Sequence, residues 1–328
     1  MNDASMQQNV SQTILVTGAT GFVGSALCTH LAQLGYGVRA AVRCAGASSG
    51  MPVSEFCIAD LDGSTNWAAA VAGARAVVHL AARVHVMDDQ ASDPLAEFRR
   101  VNVQGTLNLA HQAAQAGVRR FVYISSIKAL GEATLPKKPF TEASATQPTD
   151  AYGISKLEAE QGLRDLAVQT GMEVVIVRPP LVYGPGVKAN FAALMRAVQR
   201  GIPLPLGAVH NARSLVSLGN LVDFIVTCLA HPKAANQTFM VSDGQDLSTT
   251  TLIHAMAHSA GVKARLLPAP VWMLTTAARL LGKGDAVQRL CGNLQVDITK
   301  ARTLLGWAPP LTVSEGLRLS KLSAEKGQ

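Results

Sequence analysis

Charge and aromatic surface are scarce in this chain of 328 residues. Charged side chains make up 16% and aromatic ones 5%. No run of Lys or Arg interleaves with aromatics, so a nucleic-acid surface is not expected. The five cysteines, Cys28, Cys44, Cys57, Cys228 and Cys291, are odd in number and lack CxxC spacing. They read as reduced thiols, not as a disulfide frame or zinc site, and point to a cytoplasmic protein. Apolar stretches are interrupted by charge, Gly or Pro before reaching about 18 residues, which excludes a spanning helix and any membrane insertion. The polar stretch 1–12 has no apolar signal core and reads as a disordered lead-in.

What is present is core. Hydrophobic residues are 48%, and 29 basic against 22 acidic residues give a formal charge of +7. Short apolar runs at Thr13–Thr17, Val38–Val42, Ala76–Leu80, Phe121–Ile124 and Val174–Val177 alternate with helical periodicity at 22–34, 94–116 and 152–166. Continuous apolar strands between helices predict an α/β fold, a doubly wound parallel sheet of Rossmann type over 13–178. After Arg178, Pro and Gly become frequent. Residues 179–319 read as a smaller, mostly helical substrate lobe, with a return to the sheet allowed near 213–242. The tail 320–328 is expected to fray.

Thr17-Gly18-Ala19-Thr20-Gly21-Phe22-Val23-Gly24 lies between the first strand and first helix. Glycines there permit a tight turn, close backbone approach to a pyrophosphate and close helix packing, while the helix N-terminus attracts the phosphates. The spacing is GxxGxxG. A carboxylate about 20 residues on would hold a ribose 2′-hydroxyl, yet the second strand ends Val42-Arg43. Arg43, with Arg39 nearby, suits a 2′-phosphate, so NADP(H) is favoured and NAD(H) is the alternative. Asp60 could accept from the adenine amino group.

Tyr152-Gly153-Ile154-Ser155-Lys156 opens a helix and puts phenol and ammonium on one face. The ammonium is expected to lower the phenol's pKa and prepare it for proton exchange during hydride transfer. Ser125-Ser126 closes the Phe121–Ile124 strand, where a hydroxyl can hydrogen-bond a reacting carbonyl.

With these motifs, and with His79-Leu80-Ala81-Ala82, Asn102-Val103-Gln104-Gly105-Thr106, Arg178-Pro179 and Leu305-Gly306-Trp307, the chain resembles the extended short-chain dehydrogenases/reductases. Within them it is similar to the NAD(P)-dependent nucleotide-sugar epimerase/dehydratase branch. That branch includes bacterial UDP-glucose 4-epimerase-like proteins and UDP-4-keto-6-deoxy-N-acetylhexosamine 4-reductases. The resemblance implies Ser126, Tyr152 and Lys156 as catalytic residues. It implies a cofactor shell of Gly18, Thr20, Gly21, Phe22, Val23, Gly24, Arg43, Asp60, Leu61, Leu80, Ala81, Ala82, Asn102, Ile124, Pro179, Pro180, Leu181 and Val182. Asn102 would steady the site, and a homodimer would form through 94–116 and 152–171.

Departures from the family narrow the reading. Ile127-Lys128 follows Ser126 where 4,6-dehydratases carry Asp-Glu, which disfavours dehydration. Arg213 keeps the arginine of a family segment whose acids are absent here, and it becomes a candidate for a substrate diphosphate. Lys188 and Asn190 could hold nucleotide or phosphate, and Lys128 could touch a substrate group. The favoured reading is a 4-ketoreductase of a UDP-4-keto-6-deoxy-(N-acetylamino) sugar for surface polysaccharide. The alternatives are a UDP-sugar 4-epimerase and, more remotely, a non-catalytic NADP-binding sensor, which the intact Tyr152 and Lys156 oppose. His254 and His258 read as a solvated helix face rather than a metal site. The apolar residues of Val271–Leu281 read as core, with a membrane-surface helix as the alternative.

Overall fold

The computed structural model describes residues 12–84, 93–187, 189–280, 282 and 284–324. Residues 1–11, Lys188 and 325–328, and with them most of the expected lead-in and the end of the expected tail, lie outside the described residues.

The first half alternates as the apolar runs demand: β1 (Thr13–Thr17), α1 (Phe22–Gln33), β2 (Gly37–Val42), β3 (Ser54–Cys57), α2 (Ala68–Val71), β4 (Ala74–His79), α3 (Pro94–Arg99), α4 (Thr106–Gln115), β5 (Arg120–Ile124), α5 (Ala151–Thr170) and β6 (Glu173–Arg178). The second half adds β7 (Leu181–Tyr183), α6 (Ala189–Gln199), β8 (Leu215–Ser217), α7 (Leu218–Ala230), β9 (Thr238–Met240), α8 (Thr249–Ala260), α9 (Val271–Leu280), α10 (Gly284–Cys291), α11 (Thr299–Leu305) and α12 (Val313–Ala324).

Seven parallel strands form one sheet in the order β3-β2-β1-β4-β5-β6-β9. The direction of winding reverses between β1 and β4, the place where open α/β sheets bind ligands beyond their strand ends. Side chains alternate faces along each strand. Val122 and Ile124 join one core with α1 and α7, while Phe121 and Tyr123 join the opposite core with α4 and α5. All five residues of β5 are buried. Burial on both faces explains why such strands read as continuous apolar runs.

Three features go beyond the sequence pattern. β3 (Ser54-Glu55-Phe56-Cys57) is a half-exposed edge strand, and β9 is only three residues long, so neither carries a strong apolar signature. The chain returns to the sheet after β8: α7, β9, α11 and Trp307 all pack into the α1-side core. Finally, 94–116 is not one regular helix. Arg100–Gly105 is π-helical between α3 and α4, and such bulges re-aim side chains.

A third core, built by Tyr183, Phe191, Met195, Leu215, Ile253, Met256 and Leu317, forms the smaller lobe beside the parallel β7-β8 pair. α12 runs to Ala324. Val313 and Leu317, both buried, seat it in that lobe.

Candidate active site

The turn after β1 is shaped by close contacts. Gly18 has φ +66, and a Cβ there would sit 2.8 Å from the Ala81 nitrogen. A Cβ on Gly24 would lie 2.0 Å from the Gly18 carbonyl oxygen, so α1 can approach the turn only with glycine. Gly21 caps α1 with extended backbone and no side-chain acceptor, and no acid occupies the first turn. The first-turn N–H groups therefore face outward beside exposed Thr20 and Gly21. This cradle fits a dinucleotide's pyrophosphate. Phe22 and Val23 are half-buried in the first turn of α1.

His79 clamps the base of this turn. Its Nδ1 lies 2.6 Å from Thr17 Oγ1 and its Nε2 2.9 Å from Thr106 Oγ1. Burial, followed by the positive charge of Lys156, pushes the imidazole down to about 3, so it is neutral. Thr17 Oγ1 also accepts from the Ala81 nitrogen at 3.2 Å. Leu80, Ala81 and Ala82 thus follow β4 at the edge of the cradle, all half-buried.

At the end of β2, Arg43 is exposed. Arg39 is not its helper: its Nη1 donates to the carbonyls of Ala70 (2.5 Å), Ala72 (2.9 Å) and Ala69 (3.3 Å), closing the end of α2. Asp60 accepts from the Leu61 nitrogen and from Arg100 Nη1, both at 2.8 Å. The Arg100 hydrogen bond leads the effects that hold its carboxyl below the usual range. Leu61 is buried.

The catalytic candidates converge where β5 meets α5. Asp150 caps α5 by accepting from the Gly153 nitrogen at 2.7 Å. The Ser126 hydroxyl lies close enough to the Tyr152 phenol to lower its pKa. Lys156 Nζ donates to the Ile124 carbonyl at 2.9 Å and lies 5.8 Å from the Tyr152 ring centre. Phe98 of α3 meets the Tyr152 ring edge-on at 6.2 Å. The π-helical turn aims Asn102 inward: Nδ2 donates to Ser155 Oγ and to the Arg83 carbonyl, both at 3.0 Å, and Oδ1 accepts from the Arg83 nitrogen at 2.8 Å. Asn102 thereby ties the segment that follows β4 to the catalytic helix.

The electrostatics correct one expectation. Burial, with Asp150 adding to it, pushes Tyr152 up to about 12, although the nearby Ser126 hydroxyl works the other way. Burial also pulls Lys156 down to about 7, against the pull of Glu160. The phenol is therefore a neutral hydroxyl, a proton donor in this state of the chain.

The two serines have different work. Ser126 is half-exposed and accepts from the Lys128 nitrogen at 3.2 Å. Ser125 is buried and donates to Glu160 Oε1 at 2.6 Å. Glu160 also receives Arg178 at 2.9 Å and 2.5 Å, and Arg164 at 2.9 Å. The sequence reasoning assigned Glu160 no role. Its signal was there, since Tyr152, Lys156 and Glu160 stand at i, i+4 and i+8 on one helix face.

On the substrate side, Pro179 and Pro180 are buried, Leu181 is exposed and Val182 half-buried, following directly from β6. Lys128 does not face a free substrate position: its ammonium pairs with Asp150, and with Glu132 at 2.8 Å. It joins the Ser126 turn to the cap of α5. A Cβ on Gly153 would lie 2.5 Å from the Lys128 carbonyl oxygen, so the same contact needs glycine. Arg213 is half-buried, donates to the Gly292 carbonyl at 3.1 Å, and has no carboxylate partner among the described residues. Asn190 is exposed in the first turn of α6. His254 and His258 are both exposed on α8.

Residues 14–242 match the model of the NAD dependent epimerase/dehydratase family. A UDP-glucose 4-epimerase of Vibrio cholerae is 49% identical over 314 residues, 95% of each chain. An N-acetyl-alpha-D-glucosaminyl-diphospho-ditrans,octacis-undecaprenol 4-epimerase of Escherichia coli O157:H7 is 29% identical over 322 residues, 94% of each. Among solved structures, MoeE5 in complex with UDP-glucose and NAD matches with a TM-score of 0.76 at 25% identity, over 96% of this chain and 99% of that one.

Proposed function

The chain belongs to the NAD dependent epimerase/dehydratase family, and from that premise we propose that it is a 4-epimerase of UDP-linked sugars. The observation that carries the reading is the convergence of Ser126, Tyr152 and Lys156 where the end of β5 meets the start of α5, at the sheet edge that also bears the Gly18 turn. The similarity to a UDP-glucose 4-epimerase over nearly the whole chain supports it.

The residues divide the work. Gly18, Gly21 and the first turn of α1 hold the pyrophosphate, and the strand from Pro179 to Val182 borders the nicotinamide. When bound, the nicotinamide supplies the hydride acceptor and donor. Oxidation of C4 needs Tyr152 as the phenolate, which takes the hydroxyl proton, and the neutral phenol seen in the free chain is the form that returns it as the carbon is reduced. Ser126 hydrogen-bonds the C4 oxygen and holds it against the phenol. Lys156 sets its amine 5.8 Å from the Tyr152 ring centre and orients the cofactor ribose. Arg213, without a carboxylate partner among the described residues, receives the substrate diphosphate. Asn190, and Lys188 beside it in sequence, belong to the same substrate side. A homodimer through 94–116 and 152–171 is part of this reading.

The 4-ketoreductase favoured on the sequence becomes the second reading. It rests on the missing acid after β2 and on the exposed Arg43, which suit NADP(H). Incubation with UDP-glucose or UDP-N-acetylglucosamine and no added cofactor, read by NMR, separates the two. Formation of the galacto product is expected. No interconversion, with NADPH consumed by a UDP-4-keto-6-deoxy sugar, would establish the reductase instead. Arg43→Asp is expected to raise the ratio of NAD to NADP affinity by about tenfold or more, measured by titration of each dinucleotide.

A further inference from the structure

α9 has two apolar faces, and the smaller lobe uses one. Val271 and Leu274 pack against the lobe's core, and Ala278, on the same side of the helix at i+7, is buried. On the other side Trp272 is 69% exposed, Met273 49% and Leu280 84%, and Leu267 in the preceding segment is 55% exposed. The expectation that these residues belong to the core is therefore half right. A tryptophan, a methionine and a leucine sharing one uncovered helix face are a marked departure from an ordinary solvated surface.

The chain leading through this face is basic, and the first acid after it is Asp285 in the first turn of α10. From Leu247 to Gly284 the chain contains no Asp or Glu, and it carries Lys263, Arg265, Arg279 and Lys283. Lys263, Arg265 and Arg279 are exposed. A second copy of the same face, brought up around a twofold axis, would set these cations against their own copies. An anionic lipid surface presents both things the face lacks: apolar depth for Trp272, Met273 and Leu280, and negative charge for the flanking cations. Tryptophan is favoured at that boundary because its ring is apolar while its N–H reaches water.

We propose that α9 with the preceding 262–270 segment is a membrane-surface docking site, lying flat on anionic lipid with Trp272, Met273 and Leu280 in the interface. At ten residues α9 is too short to cross a bilayer, so the contact is peripheral. It also adjoins the substrate side of the cleft. α10, packed beside α9, ends at carbonyls that hold Asn211 and Arg213: Leu290 accepts from Asn211, and Gly292 from both.

Trp272 is a built-in probe, since Trp67 and Trp307, the other two tryptophans, are buried. The full chain would be titrated with vesicles of phosphatidylcholine alone, and with vesicles in which about one-third is phosphatidylglycerol. The expected result is a blue shift of emission and loss of iodide quenching on the anionic vesicles. Binding there should be about tenfold or more tighter than on neutral vesicles and should weaken at high salt. Trp272→Phe should abolish the moving emission without changing vesicle co-sedimentation much. Met273→Glu with Leu280→Glu, both at exposed positions, should abolish co-sedimentation while leaving the circular dichroism unchanged. An emission that neither vesicle moves overturns the proposal, as does equal binding to neutral and anionic vesicles. So does a Trp272 already shielded from iodide in the free protein, with Trp272→Glu converting a dimer to a monomer, because a second copy would then be the occupant. No substrate enters the assay, so its outcome is independent of the activity proposed above.

Discussion

Two buried arginines stand at opposite ends of the same sheet, and each meets a glutamate through two nitrogens. At the start of β5, Arg120 bonds Glu173 at 2.8 Å and 2.6 Å, and its remaining Nη1 donates to the carbonyls of Cys228, Leu229 and His231. At the end of β6, Arg178 bonds Glu160 at 2.9 Å and 2.5 Å, but its Nη1 has no partner among the described residues. The first pair closes the end of α7. The second supports Ser125 and, through the helix, Lys156. The same ion pair is a fastening at one edge and a platform at the other. Parallel strands make that division natural, because all their C-terminal ends open on one side.

The comparison breaks first at Tyr152. Tyr152→Phe is expected to lower turnover by about 10²–10⁴ with the melting temperature unchanged, as read by a coupled assay and calorimetry. If turnover persists, the C-terminal edge does not carry the chemistry. Next, Arg120→Ala is expected to cost about 3–5 kcal/mol in urea unfolding, since it leaves three carbonyls without their donor and takes from Glu173 its closer partner, with Arg119 at 3.4 Å remaining. Activity per folded molecule should survive. Glu160→Gln should cost stability and also reduce turnover; if the two variants behave alike, the distinction between the edges fails.

A smaller effect tests the neutral imidazole at the functional edge. The folded chain keeps His79 unprotonated down to about 3, whereas the unfolded chain protonates it near the ordinary 6.5. The unfolded state binds more protons between those values, so stability falls as pH drops through that window. At pH 5 the loss from this group is about 2 kcal/mol relative to pH 7. His79→Gln should flatten that limb of the urea midpoint against pH.

The smallest effect sharpens the comparison rather than breaking it. Lys128 pairs with Asp150 and Glu132 near the surface, an interaction worth less than about 1 kcal/mol. Lys128→Met should lower kcat by less than about fivefold and leave KM almost unchanged. A large rise in KM would return Lys128 to the substrate side.

Much of this division was legible before any coordinates. Gly18, Gly21 and Gly24 announced the turn because no other residue tolerates its contacts. Tyr152 and Lys156 announced themselves by a spacing that a helix converts into a shared face. Asn102 could be named, but not the π-helical turn that aims it, since one added residue per turn leaves no trace in apolar periodicity. Lys128 pointed to substrate until Asp150, 22 positions later, was found beside it. β9 is legible only as an allowed return near 213–242, because three residues cannot show a pattern, and the exposed face of α9 only as an alternative to core, because apolar periodicity does not say which of two faces is covered.

The order of apolar runs determined the parallel sheet, and the glycines and the Tyr–Lys spacing determined where its chemistry sits, because both are properties of neighbours along the chain. Tertiary structure decided the rest: that burial keeps Tyr152 a neutral phenol, that Ser125 and Ser126 turn to different partners, and that Glu160 rather than solvent receives Arg178. Those outcomes depend on desolvation and on contacts between distant segments, and neither is a property of any short stretch of sequence.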